Sequence, residues 1–231
     1  QEENGYVFTT QKVAKYTSVK NQNRSGTCWS YSGLGFLECE LLRLGKGEYD
    51  LSDMWIVKKT YSDKADIYVR MHGHYNFAAG GAFVDVFNVI RKYGIMPEEA
   101  FVGNEYGTEL PVHSELDAVL KAYVDAVIKN PNKKLSTAWK KGFDAILTAY
   151  MGEDTEKFTY QGKEYTPFTF YQSLGLNMDD YVSVTSFTHH PFYTQFAIEI
   201  PDNWAMEQSY NVPIDELMEI LKALRAEGKT I

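Results

Sequence analysis

Leu34, Leu37, Leu41 and Leu44 fall at 3-4-3 spacing, which lays one apolar stripe along a helical face. Gly45-Lys46-Gly47 supplies a stop, and Ser25 and Thr27 are candidate N-cap residues for the start. A helix from about Cys28 to Leu44 is therefore expected, with one side committed to a core. Its register puts Cys28 in the first turn, where unpaired backbone N–H groups gather and favour negative charge. Thiolate is the attacking form of cysteine. A free thiol has a pKa of about 8.5, which a helix N-terminus or a partner imidazolium lowers. Six residues upstream, the Gln22 side-chain amide is a candidate to hold an oxyanion. Position alone leaves the ordinary reading open, because a lone cysteine is most often a buried apolar residue.

The neighbouring residues narrow the choice. Gln22-Asn23-Arg24-Ser25-Gly26-Thr27-Cys28-Trp29-Ser30 resembles the active-site segment of papain-like cysteine peptidases, where a Gln precedes a Gly-x-Cys-Trp element that opens the long helix of the left domain. Leu51-Ser52-Asp53-Met54 resembles that family's Leu-Ser-Glu-Gln, and Gly80-Gly81 and a helix pattern ending at Tyr93-Gly94 follow in the family's order. Asn23 to Trp29, Thr188-His189-His190-Pro191-Phe192-Tyr193 and Pro201-Asp202-Asn203-Trp204 resemble the bleomycin hydrolase and aminopeptidase C branch. The resemblance covers nearly the whole chain. It implies an α+β, papain-like cysteine proteinase fold: a helical left domain over 1–103, a helical insertion over 104–170, and over 171–231 a junction helix with a right-hand β-barrel domain only begun. It implies Cys28 as nucleophile, Gln22 at the oxyanion, and Trp29, Gly80 and Gly81 at the substrate, with no cofactor and no metal. Glycines leave room for a peptide backbone to approach.

Papain's second cysteine, three residues before its nucleophile, is replaced by Ser25. The only other cysteine, Cys39, lies eleven positions after Cys28. On a helix that is ~16 Å, and a disulfide needs Cα atoms within about 7 Å. Cys28 is thus expected as a free thiol and Cys39 as a small buried apolar residue.

The formal net charge of −8 argues against generic phosphate-backbone binding, so no nucleic-acid partner is expected. No apolar run reaches the ~18 residues of a membrane span. Hydrophobic content of 44% and aromatic content of 15% support a packed core. The polar start Gln1-Glu2-Glu3-Asn4 suits a mature end after leader removal, which gives an expectation of a secreted or periplasmic protein, with the cytoplasm as the alternative.

Along the chain, Val7–Thr9 and Ser18–Lys20 read as short strand-like pieces. Helices are expected over about 52–62, over Phe83 to Tyr93, over 114–128 with Ser114 and Asp117 as an acidic capping box, and over 135–151. Tyr181–Phe187 and Thr194–Ile200 carry strand character. A last helix has Pro213 at N1. Met71, Phe83 and Phe87 are expected in the core, and the Glu98-Glu99 and Asp179-Asp180 pairs on solvated faces.

A cysteine peptidase needs an imidazole to take the thiol proton and a side chain, usually Asn, to orient it. The chain has five histidines. His72 and His74 read as a loop pair rather than metal ligands, and His113 as an exposed residue at a helix entry. His189, with Asn203 beyond it, tempts by distance from Cys28. The resemblance places His189-His190-Pro191 before the barrel, however, and no Asn-Ser-Trp-Gly exists here. The expectation is a peptidase, of aminopeptidase type, whose His and Asn lie beyond Ile231, with peptide substrates and a C-terminal companion chain as partners. The branch implies self-association into a large ring-like oligomer in its intracellular relatives, which an exported form need not share. The alternative is a non-catalytic relative that binds peptides or a partner chain through the same cleft.

Overall fold

The computed structural model describes residues 5–10 and 13–229. It is an α+β chain. Helices α1 (Cys28–Arg43), α2 (Asp53–Arg70) and α3 (Phe83–Tyr93) pack on one another, and α4 (Ser114–Ile128) and α5 (Trp139–Met151) pair against α2. A hairpin, β1 (Phe158–Tyr160) with β2 (Lys163–Tyr165), leads into α6 (Pro167–Leu174). Then come β3 (Val184–Thr185), β4 (Thr194–Ala197), β5 (Gln208–Asn211) and α7 (Ile214–Ala226). The last three strands form a sheet in the order β3-β5-β4, with β3 parallel and β4 antiparallel to β5. Among the described residues no helix is long and apolar enough to cross a membrane.

The leucine stripe holds where it is helical. Leu34, Leu37 and Leu41 are fully buried, whereas Leu44 follows the last helical residue and is 44% exposed. Gly33 lets α1 and α3 close up: a Cβ there would stand 2.6 Å from Val86. α2 runs eight residues past the expected end at Ser62, because Tyr61, Ala65, Tyr68 and Val69 keep a buried face at i, i+4, i+7 and i+8. Lys58 and Lys64 disguised that face. Both are buried, and their ammonium groups reach main-chain carbonyls of Gly152 and Gly80. The N-cap Ser52 is placed by two bonds, accepting from Trp55 N–H at 3.1 Å and donating to Phe101 O at 2.5 Å.

Several expectations are corrected. Val7–Thr9 and Ser18–Lys20 pair with no strand among the described residues, and Val7 and Val19 are almost fully exposed. α4 is capped by His113, not Ser114, and Asp117 turns instead to the Tyr61 hydroxyl at 3.3 Å. α5 starts at Trp139, whose N–H is held by Ser136 Oγ at 3.1 Å. Strand pairing shrinks to Val184–Thr185 and Thr194–Ala197, and Pro213 is the N-cap of α7. β1, β2, α6 and β5 were not anticipated. Cys39 is partly exposed, Met71 is 45% exposed at the end of α2, and Phe83 is 38% exposed. His113 is buried against Tyr61, and burial pushes its pKa down to about 4. α7 buries none of its residues, so its apolar side, including Ile214 and Met218, is open.

One charged cluster fastens the N-terminal segment to the helices. Lys20 Nζ lies 2.8 Å from Glu38, 2.7 Å from Asp50 and 3.4 Å from Asp53. Burial pulls on the Lys20 ammonium, but the Asp53 and Glu38 carboxylates outweigh it and keep the proton on. Burial raises Asp53 to about 7. Glu98, assigned above to a solvated face, is partly buried and raised to about 8, first by burial and then by Asp53 and Asp50. The folded state thus binds more protons than the unfolded chain between about pH 4.5 and 8, and this contribution to stability is lost as pH rises through that window. Glu98→Gln should therefore lose less stability than wild type between pH 5 and 8.5, by about 1 kcal/mol once partial exposure is discounted. Urea unfolding at the two pH values tests this, and equal losses in both proteins would refute it.

Candidate active site

Cys28 is the first residue of α1, and it is exposed. Its loop is built to hold it there. Ser25 N–H bonds Gln22 O at 3.2 Å, turning the chain so that Gln22 and Cys28 flank one loop. Asn23 and Gly26 take positive φ angles of 49° and 67°, and at Gly26 a Cβ would meet Ala79 at 3.1 Å. Arg24 pairs with the 111–113 strand segment: its N–H bonds Pro111 O and its carbonyl accepts from His113 N–H, both at 3.2 Å. Residues 111–113 thus brace the nucleophile loop.

Thr27 is the N-cap, but its hydroxyl faces Ser25 Oγ at 2.5 Å and gives α1 no side-chain cap. The Cys28 N–H has no hydrogen-bond partner among the described residues, which leaves a donor free at the helix N-terminus. Gln22 is half-buried, and its Oε1 is buried without a partner. An unpaired buried amide oxygen costs about 1–3 kcal/mol, so this residue is poorly explained by packing.

Trp29 is 5% exposed, and its indole N–H donates to Ala79 O at 3.0 Å. It lies under the 79–81 loop rather than on the surface. A Cβ on Gly81 would sit 2.7 Å from that indole and 2.9 Å from Asp85 Oδ2, and one on Gly80 would run into the Asp202 carboxylate. The protein packed behind the loop therefore leaves no room for a side chain at Gly81, and leaves room at Gly80 only if the Asp202 carboxylate turns away. Lys64 Nζ donates to the carbonyls of Ala78, at 3.0 Å, and Gly80, and burial lowers this ammonium to about 8. Asp85 Oδ2 accepts from Ala82 N–H at 2.8 Å and from Trp204 Nε1 at 2.9 Å, and burial raises its carboxyl to about 6. A cavity of about 680 Å³ opens beyond this loop, lined by Ala82, Phe83, Phe87, Tyr181, Ile198 and Tyr210 among others. Phe83, expected in the core, forms part of its wall.

Lys64 and Asp85 are not found by sequence reasoning, and Trp204 is marked there only as part of the Pro201–Trp204 segment, not as a support for this loop. Lysine on an apolar helix face was the one available signal. The partners Asp202 and Trp204 lie more than a hundred residues from the loop they back, and no local pattern links them.

Cys28 Sγ has no hydrogen-bond partner among the described residues, so no imidazole there is bonded to it. His189 and His190 bond Glu199 at 3.3 and 2.8 Å. Asn203 is 6% exposed and spends its amide on the main chain, donating to Ile198 O and Glu207 O and accepting from Glu207 N–H. It is not available to orient a ring at Cys28. His72 and His74 are exposed in the turn after α2.

Fold and site together define a class: α+β chains that present a free cysteine at the head of a buried central helix. No protein-family model matches this chain. Over 126 residues it is 28% identical to "Cysteine proteinase 1, mitochondrial" of Saccharomyces cerevisiae strain ATCC 204508 / S288c, covering 47% of this chain and 26% of that protein, with the same figures for strain YJM789. It superposes on PepW from Lactobacillus rhamnosis HN001 (DR20) with a TM-score of 0.75 at 20% sequence identity, covering 96% of this chain and 59% of that one. The match spans about a quarter of the yeast protein, and this chain just over half of PepW. The fold is the one seen in PepW. Both likenesses support the resemblance to bleomycin hydrolase and aminopeptidase C peptidases.

Gly81→Ala tests how the loop is built. Overpacking against Trp29 and Asp85 is expected to destabilise the fold by about 1–3 kcal/mol. Gly80→Ala should cost less, since the Asp202 carboxylate is the end of a flexible side chain that can turn away. Denaturant midpoints of the two variants measure the difference, and a reversed order would contradict it.

Proposed function

We propose that this chain carries the nucleophile half of a cysteine peptidase that releases N-terminal residues from peptides. The observation that carries the reading is the exposed Cys28 thiol at an uncapped helix N-terminus, with its own N–H unpaired. In the reaction the Cys28 thiolate adds to the scissile carbonyl. The oxyanion is held by the Cys28 N–H and the Gln22 amide. The amine leaves with a proton from an imidazolium, and water then hydrolyses the thioester. The cavity beyond Ala82 suits an apolar side chain of the substrate, and the Gly80–Gly81 loop the peptide main chain.

The imidazole and its orienting amide are supplied by polypeptide outside these 231 residues, either in the same chain or in a companion. That segment also completes the right-hand barrel begun by β3, β4 and β5. Supporting this, no imidazole is hydrogen-bonded to Cys28 among the described residues: His189 and His190 bond Glu199, His72 and His74 are exposed after α2, and His113 is buried against Tyr61. Hydrolysis of aminoacyl-aminomethylcoumarin substrates is the test. Residues 1–231 alone should be inactive, and a form extended by a segment with His and Asn active. Turnover by 1–231 alone, or none in the extended form, overturns the reading. The second reading, a peptide-binding relative without catalysis, is favoured by the same lack of a base, and inactivity of the extended form with retained peptide binding would select it.

A further inference from the structure

Adjacent residues on a strand point to opposite faces, yet His189 and His190 turn both Nε2 atoms to one carboxylate, Glu199, at 3.3 and 2.8 Å. The turn that allows this is held from behind. Asn211 on β5, fully buried, donates through Nδ2 to the carbonyls of Phe187, His190 and Pro191 at 2.8, 3.0 and 3.2 Å. Its Oδ1 accepts from Phe187 N–H at 2.8 Å, and Thr194 Oγ1 donates to Pro191 O at 2.7 Å. The rings are supported as well. Phe196 stacks on His190 at 3.9 Å and meets His189 edge-on at 5.9 Å, and Phe187 meets His189 at 5.4 Å. Backbone and rings are thus fixed on the inner side, and the nitrogens face outward to the exposed Glu199.

A shared carboxylate is a poor end point for two imidazoles as an ion pair. A single Glu charge is divided between them, and exposed pairs contribute about 0–1 kcal/mol. As a donor set the same atoms are better matched. Two imidazole nitrogens and one carboxylate oxygen lie within 4.8 Å of one another, and Zn²⁺ takes such ligands at about 2.0–2.2 Å, often as three protein ligands and a water. We propose that His189, His190 and Glu199 form a site for a borderline divalent cation of the Zn²⁺ type, which ties the 188–193 turn to the end of β4. Small adjustments of the three side chains, which open the 2.8 Å His190–Glu199 contact slightly, seat the set around one ion, and water fills the remaining position. The site makes no use of Cys28 and is independent of the peptidase reading.

The test uses the whole chain, freed of metal by chelation and with both thiols alkylated, titrated with Zn²⁺ alone by calorimetry. One equivalent should bind, Co²⁺ should give visible bands of four- or five-coordinate geometry, and Zn²⁺ should raise Tm. His190→Ala and the isosteric Glu199→Gln should each weaken binding at least tenfold, while the His72→Ala/His74→Ala variant binds as wild type. No saturable equivalent at micromolar Zn²⁺, or binding that Glu199→Gln leaves unchanged, overturns the proposal. If His190→Ala fails to fold, Glu199→Gln and the Tm response of the wild-type chain decide the matter.

Discussion

Cys28→Ala, in a form of the enzyme that supplies the imidazole, should lower kcat by about 10⁴–10⁶ while leaving the fold intact, because loss of a nucleophile removes covalent catalysis altogether. The fold should survive because Cys28 is exposed and begins its helix, so no packing is lost. The same residue should be the faster thiol. Iodoacetamide, followed by peptide mass analysis, is expected to label Cys28 before Cys39, which is partly covered on the body of α1. Faster labelling of Cys39 in the folded protein, or a variant with unchanged kcat, would remove Cys28 from the chemistry.

Gln22→Ala should lower kcat by about 10²–10³, the usual cost of one oxyanion donor, with a much smaller change in KM. Stability serves as the control. Gln22 Oε1 is buried without a partner, so truncation relieves an unsatisfied group and should leave the denaturation midpoint level or slightly raised. Gln22→Glu adds a second readout: an acceptor-only carboxylate facing an oxyanion should be at least as damaging as alanine. A normal kcat in Gln22→Ala, or a large drop in stability, would assign the amide a structural role.

Legibility in the sequence followed the range of the interactions. The 3-4-3 leucines carried α1 to within one residue of its end, and Phe83, Val86, Phe87 and Ile90 carried α3 to its observed bounds. Both signals lie within a few turns of one helix. The failures arose where polar residues are buried with partners. Lys58, Lys64 and Glu38 each break an apolar pattern, yet each is buried because its charge meets main-chain carbonyls or Lys20. His113 reads as a surface residue until Tyr61 and the Arg24 pairing close over it.

By itself the sequence determined that a cysteine stands at the head of a buried helix, that no disulfide joins it to Cys39, and that two glycines follow before α3. These are matters of local spacing and side-chain type. Only the tertiary structure decided why the glycines are needed, since Trp29 and Asp202 come up behind them from opposite ends of the chain. Only it showed that Asn203 is committed to the main chain, and that His189 and His190 meet at Glu199 instead of at the thiol. A side chain's partners are set by which segments the core brings together, and contacts over a hundred residues or more leave no periodic trace in the sequence.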